Sequence, residues 1–383
     1  MIVGIDATAI GSRLGGDETL VAGLLRGLAC AVAPEDRVLV LAAEGADLPP
    51  EIGAHPGFRV DRVVRRSGPV HFGVVLPRWL RSLVGTGARP DVVVTNTHAP
   101  LRSPAPVALM VPDLSFLHVA DAYPWTTRAR LRVLVRRQVR TCAAVLTISE
   151  FSRDDLLRSY RLPEGLVTVV PLTIDPPTDA PPSTRDALAA RGVRAPYLLY
   201  LGNLHPRKNV PRAIRVFLRL RATVPDLADH QLVIAGRRWF GGTAEVDAAA
   251  GAPEGAVVFL DRVDDDEREA LLQDATALVY LSTFEGFGLP PLEAMARDTP
   301  VLASSATAVP EVCGAAAVLV DATDDDAVAT GMVGVLTDTA LRGALVTAGR
   351  ERVRRYDVGA TGAALYGALT GVVARARATA AAR

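Results

Sequence analysis

LVYLSTFEGFGLPPLE, residues 278–293, combines a strand, a glycine turn and the start of a helix. Residues 278–281 are apolar on both faces, as suits a buried strand of a parallel sheet. Gly286 and Gly288 let the backbone approach a ligand closely. Pro290 and Pro291 fit the first turn of a helix, where a missing N–H costs nothing, and Leu292, Met295 and Ala296 continue it. The free N–H groups and positive end of such a helix suit a phosphate. Glu285 and Glu293 flank the turn, placed to meet hydroxyls of one ligand with its phosphates between them. The plainer reading is a strand-to-helix turn with a solvated acid at each end; the pairing of acids with the glycine turn favours the ligand site.

The same strand-then-helix pattern recurs outward from this segment. Short β-branched runs occupy residues 2–5, 38–41, 59–64, 92–95, 107–111, 145–148 and 167–170 in the first half. In the second half they occupy 197–201, 232–235, 257–260, 278–281, 301–303 and 318–320. Alternation with longer helical patterns predicts βαβ units. A chain of 383 residues is long enough for two or three domains. Between the halves, residues 174–196 hold five prolines and read as a linker or hinge. The prediction is an α/β protein with two Rossmann-like, doubly wound parallel-sheet domains, residues 1–173 and 197–359, facing across a cleft. Residues 360–383 are Ala-rich, predicted helical to about 376, and expected to pack back toward the N-terminal domain. Ligands of open α/β sheets sit at the carboxyl ends of the strands, so the cleft is the expected site.

Composition narrows the function classes. Lys+Arg and Asp+Glu are both 42, without the basic excess of a dedicated nucleic-acid binder. No apolar run reaches the length of a membrane-spanning helix. The opening MIVGIDATAI lacks a basic leader region and reads as a first strand rather than a signal peptide. Cys30, Cys142 and Cys313 are scattered, with neither a disulfide framework nor metal spacing. A cytoplasmic location is expected, with association on the cytoplasmic face of a membrane as a variant of it.

A second segment, LGNLHPRKN (201–209), follows the run at 197–201 and presents Arg207 and Lys208 side by side. Lys208 is the single lysine among the 42 basic residues. A guanidinium fork beside a compact ammonium suits a pyrophosphate. Two exposed loop cations are the ordinary alternative; the position after a strand favours the phosphate. A third segment, IGSRLGGD (10–17), follows the first strand. Gly15 and Gly16 suit close backbone approach, and Asp17 is a plausible N-cap for the helix after it. It is not the GxGxxG of a nicotinamide site, and no GK[ST] of a P-loop follows.

Together these segments resemble glycosyltransferase family 4, the retaining, nucleotide-sugar-dependent enzymes of GT-B architecture. The resemblance is carried by EGFGLPPLEAMARDTPVLAS (285–304), LYLGNLHPRKN (199–209), VLTISEFSRDDL (145–156) and VPEVCG (309–314), and covers nearly the whole chain. The E-x7-E spacing of Glu285 and Glu293 is its most specific mark. The resemblance implies that Arg207 and Lys208 meet the donor pyrophosphate and that Glu285 contacts sugar hydroxyls near the reacting centre. It further implies that Phe287, Gly288 and Leu289 offer backbone N–H groups and that Glu293 accepts from the ribose. Gly15 and Gly16 would close over the donor, and Arg262 and Val263 would lie against the base. Glu285, Lys208 and Arg207 are the candidate catalytic groups.

One departure stands out. Many family members carry a His-Asp pair after the strand at 107–111, whereas this chain has Pro112-Asp113. His98 and His118 are candidates to replace that histidine in positioning sugar or acceptor, and Asp113 remains as a polar contact. The acid runs at 264–267 and 324–326 read better as helix first-turn acids than as a metal site. No metal or cofactor is expected, the nucleotide sugar being a substrate. Arg128, Arg130, Arg132, Arg136, Arg137 and Arg140 fall in one stretch interleaved with apolar residues. It reads either as a membrane-surface contact or as one solvated face of a helix.

The resemblance implies hexose transfer to a hydroxyl of a saccharide, lipid-linked or metabolite acceptor. Mannose from GDP-mannose is the first reading by analogy. A uracil-nucleotide sugar, a nucleotide-sugar epimerase of the same fold and a non-catalytic sugar-binding scaffold stay open. Acceptor contacts are expected from loops near 66–80 and 96–104, which have no transferable pattern.

Overall fold

A computed structural model describes the chain except residues 13–15, 120–121, 239–242 and 383. It divides into two compact units, residues 1–173 with 356–383, and residues 174–355.

The first unit is built on a seven-stranded sheet. Its elements run β1 (Ile2–Asp6), α1 (Gly16–Ala31), β2 (Arg37–Ala43), β3 (Phe58–Val63), β4 (Val92–Asn96), β5 (Val107–Met110), α2 (Trp125–Thr141), β6 (Ala144–Thr147) and β7 (Val167–Val169). The spatial order is β3-β2-β1-β4-β5-β6-β7. Every pairing is parallel, for example Ile2 against Arg37 and Val3 against Val92. Central strands such as β6 are buried on both faces, which is why they read as continuous apolar runs. Edge strand β3 carries exposed Arg59 and Arg62 between half-buried positions. The order reverses between β1 and β4, so the loops after those strands diverge and open a crevice at their carboxyl ends.

The second unit repeats the plan with six strands. It runs α3 (Pro182–Ala190), β8 (Tyr197–Leu201), α4 (Val210–Thr223), β9 (Gln231–Ala235), β10 (Val257–Asp261), α5 (Asp265–Asp274), β11 (Ala277–Tyr280), α6 (Leu289–Ala296), β12 (Val301–Ser304) and β13 (Val318–Val320). The order β10-β9-β8-β11-β12-β13 places the reversal between β8 and β11. Its core packs Tyr200, Ile214, Phe217, Val279 and Met332, all nearly inaccessible.

Two expectations change. The segment 174–196 is not a free linker: it belongs to the second unit and contains α3. Arg185 pairs with Asp274 at 2.8 Å and Arg191 with Glu267 at 2.5 Å. The start of the segment is stapled by a buried ion pair, Arg297 to Glu269 at 2.7 Å. Glu269 also accepts from the Thr178 N–H, and Arg297 donates to the Asp175 carbonyl. Proline content signals where a ladder cannot continue, and says nothing of side chains elsewhere that anchor the segment.

The last helix, α7 (Val358–Ala381), starts earlier and runs further than expected. Asp357 caps it by accepting from the Ala360 N–H. It packs against α1 within the first unit. Gly27 and Gly362 meet there so closely that a Cβ on Gly362 would collide with the Gly27 carbonyl. Tyr366 donates to Asp36 at 2.7 Å, and Asp36 also holds the N-terminal ammonium.

Candidate functional site

The second unit gathers its candidate groups at the β8/β11 reversal. β11 ends at Tyr280; the chain turns through Ser282, Glu285 and Gly288, and α6 begins at Leu289. Gly288 has φ 133°, a left-handed conformation that glycine adopts without strain. Pro290 occupies the first turn of α6. After β8, a short 3-10 turn, Pro206–Lys208, lifts Arg207 and Lys208 toward the same place. The two loops are tied together, with the Thr283 N–H donating to the Arg207 carbonyl at 2.8 Å.

At the centre is a buried carboxylate between two cations. Glu285 is 5 % exposed and Lys208 7 %. Lys208 Nζ lies 2.5 Å from Glu285 Oε1, and Arg207 Nη1 lies 2.5 Å from Oε2. Lys208 also donates to the Tyr280 hydroxyl at 2.9 Å, and Arg207 to the Phe284 carbonyl at 2.6 Å. Burial pushes the Glu285 carboxyl up, but Arg207 and then Lys208 outweigh it and hold it at about 2. Behind them the hydroxyls of Tyr200 and Tyr280 are pushed well above their ordinary value by burial and by the Glu285 charge. Tyr280 is therefore neutral and able to donate. Glu285 itself is fixed by its backbone N–H, which donates to Thr307 Oγ1 at 2.9 Å. Two positive charges against one negative leave one net positive charge at a buried turn beside a helix N-terminus, which attracts an anion.

Glu293 lies one helical stretch further on and is mostly buried, paired with Arg268 at 2.7 Å. Burial pushes its carboxyl up; Arg268 and Arg297 oppose this only in part. The two glutamates of the E-x7-E pattern thus differ in direction: two cations hold Glu285 below the ordinary value, and burial raises Glu293 above it. Phe287 is buried, and Leu289 opens α6. Arg262 and Val263 follow the left-handed Asp261 at the end of β10. Asp264 accepts from the Glu267 N–H while Glu267 accepts from the Asp264 N–H, a capping box that starts α5. Asp324 caps its own helix.

In the first unit the candidates fall at the carboxyl ends of β4 and β5. Gly15 lies outside the described residues, and Gly16 opens α1. Asp17, expected as a cap, is the second residue of α1 and accepts from Asn96 Nδ2 at 3.2 Å. Its carboxyl is pushed up by burial, with Asp113 adding to the rise and His98 opposing it. The charges of Asp113 and His98 thus both act on Asp17, whose hydrogen-bond partner is Asn96. Asp113 Oδ1 accepts from the Ser115 N–H and hydroxyl. His118 is set apart from them, bound to Asp155 at 2.9 Å. Sequence reading missed the buried pair His71–Asp6, Nε2 to Oδ2 at 2.7 Å. No spacing links residues 65 positions apart.

The arginine-rich stretch is α2. Val135 and Val139 face the core, Arg132, Arg136, Arg137 and Arg140 are exposed, and so are Trp125 and Val133 at 80 % and 73 %.

Comparison with known proteins agrees with this geometry. The model for glycosyltransferase family 4 matches residues 14–178, and that for glycosyl transferases group 1 matches 189–352. The chain belongs to glycosyltransferase family 4. It is similar to O-antigen chain mannosyltransferase B of Escherichia coli, 27 % identical over 64 % of this chain and 65 % of that protein. It is also similar to the phosphatidyl-myo-inositol mannosyltransferase of Mycolicibacterium smegmatis, 35 % identical over 42 % and 41 %. The matches therefore span less than two thirds of these relatives' lengths. Sucrose-phosphate synthase from Thermosynechococcus elongatus superposes with a TM-score of 0.71 over 98 % of this chain and 100 % of that one, at 18 % identity. The fold is GT-B, with two parallel-sheet α/β units of seven and six strands.

Proposed function

We propose that the protein transfers a hexose from a nucleoside-diphosphate sugar to an acceptor hydroxyl, with retention at the anomeric carbon. One observation carries this reading: the sole lysine and its neighbouring arginine converge on buried Glu285 at the N-terminus of α6. Departure of a diphosphate develops negative charge. Preorganised cations and helix N–H groups stabilise such charge, and one such donor is worth about 3–4 kcal/mol in comparable sites. In this reading the donor's diphosphate takes Arg207 and Lys208, and Glu285 turns its acceptor oxygens to sugar hydroxyls. Glu293 accepts from the ribose, with Val263 against the base and the N–H groups around Phe287, Gly288 and Leu289 toward phosphate and sugar. Charge stabilisation then rests on side chains rather than a metal ion, and turnover should survive a chelator.

Mannose from a guanine nucleotide is the preferred donor, supported by the names of the relatives: O-antigen chain and phosphatidyl-myo-inositol mannosyltransferases. Peripheral contact of α2 with an anionic bilayer belongs to the same reading, supported by Trp125 standing exposed at the head of an arginine-rich face. No helix among the described residues is long and apolar enough to cross a membrane.

The test is thermal unfolding with GDP, UDP and ADP on wild type and Lys208→Ala. A ligand at 100 times its dissociation constant adds about 2.7 kcal/mol. Stabilisation by one base, lost in the variant, supports the reading and names the donor nucleotide. Acceptor-dependent release of the diphosphate then separates transfer from epimerisation. Stabilisation that survives Lys208→Ala would sink the phosphate assignment.

A further inference from the structure

β11 and β12 run side by side in parallel, Tyr280 beside Ala303, so the turns that follow them leave the sheet at the same end. β12 stops at Ser304, and the chain passes through Thr307 before a short helix, Val309–Cys313. Residues 307 and 308 take both main-chain groups of Glu285. Its N–H donates to Thr307 Oγ1 at 2.9 Å, and its carbonyl accepts from the Ala308 N–H at 3.4 Å. Glu285 lies beyond the end of β11, where the sheet ladder no longer fixes the backbone. The turn after β12 stands in for a strand partner there, and the Thr307 hydroxyl is its side-chain contribution.

Thr307 makes this contact from an unfavourable conformation. Its φ is 56°, in the left-handed region, where a β-branched residue is an outlier. Glycine takes that region without strain but has no hydroxyl for Glu285. Strain of this kind persists where the surroundings over-determine it, and it clusters at functional sites. The surroundings of Thr307 are firmly packed. Ala308, Val309 and Val312 are fully buried, and Pro310 stands in the first turn of the short helix. The Ala306 N–H donates to buried Ser304 Oγ at 3.1 Å. The carboxylate of Glu285 needs a fixed backbone: Oε1 meets Lys208 and Oε2 meets Arg207, each at 2.5 Å. Two charge-assisted contacts from one side chain to adjacent residues of another loop tolerate little drift.

We propose that Thr307 is a positioning residue for transfer: its hydroxyl, presented by a strained backbone, fixes the main chain of Glu285 and so sets where the carboxylate meets the donor sugar. The proposal rests on the transferase reading and adds to it a residue that acts through Glu285.

Three variants separate the hydroxyl from the strain. Thr307→Ser keeps the hydroxyl, Thr307→Val keeps the β-branch and its strain without the hydroxyl, and Thr307→Gly removes both. The readouts are kcat for GDP release from GDP-mannose with water as acceptor, GDP affinity, melting temperature, and hydrogen exchange of the Glu285 amide in the full-length protein. A misplacement of about 1 Å costs up to about a hundredfold, so Thr307→Gly and Thr307→Val should each lose about ten- to a hundredfold in kcat. GDP affinity should barely change, because Arg207 and Lys208 remain. Thr307→Gly should melt above Thr307→Val, yet both should lose kcat alike, while Thr307→Ser keeps most of it. The Glu285 amide should exchange faster in the two variants without a hydroxyl than in wild type and Thr307→Ser. A purely structural role would order kcat by melting temperature; that order, or wild-type kcat in Thr307→Gly, would overturn the proposal. A wild type that releases no GDP faults the transferase reading, and amide exchange then decides the clamp: faster exchange in Thr307→Val supports it, and exchange equal to wild type overturns it.

Discussion

Replacing Glu285 by Gln removes one charge while keeping the shape and an acceptor oxygen. In the folded chain that charge sits 2.5 Å from both Lys208 Nζ and Arg207 Nη1, at 5 % exposure. The ordinary glutamate value is 4.5, and Glu285 is held at about 2, a gap worth about 3 kcal/mol. Removing one partner of a buried pair costs about 3–5 kcal/mol by mutational precedent, so the two routes agree. For a unit of this size the loss corresponds to about 6–12 °C in Tm. The sign follows from a depressed acid: the contribution is complete above about pH 4.5 and disappears as pH falls through about 2. Urea unfolding of wild type and Glu285→Gln at pH 7, 5 and 3 should show a constant gap between the first two and a smaller one at the third. The Lys208→Met, Glu285→Gln double variant should recover part of the loss, giving the coupling directly. A nucleoside diphosphate should stabilise Glu285→Gln more than wild type, since two cations then await it. A loss under about 1 kcal/mol at pH 7, or one independent of pH, would refute the reasoning.

Two further outcomes are expected. Gly362→Ala drives a methyl into the Gly27 carbonyl and should cost about 1–3 kcal/mol, seen as a lower urea midpoint of the first unit by the fluorescence of buried Trp79. Glu293→Ala should erase discrimination between ribose and 2′,3′-dideoxyribose diphosphates in thermal shift, while wild type favours the ribose form; equal preference in wild type would remove Glu293 from the ribose.

Much of the fold was legible because parallel strands buried on both faces must be apolar throughout. The runs at 197–201 and 318–320 coincide with β8 and β13, and the others differ only at their ends. The GT-B class follows from that alternation together with the resemblance. The proline-rich segment misled, because its anchor is Arg297–Glu269, far along the chain. Asp17 misled because its partner, Asn96, arrives from β4.

Sequence alone determined the local units: which residues form strands, which turns need glycine or proline, and which cations and acids stand at strand ends. Those properties depend on neighbours a few positions apart, where periodicity and backbone sterics act. Tertiary structure alone decided the pairings. Lys208 meets Tyr280 and Glu285 only because β8 and β11 are adjacent across a crossover. Asp6 meets His71 only because the chain returns to the end of β1. Charge, burial and hydrogen bonding act through space, and the strand order sets which distant residues share it.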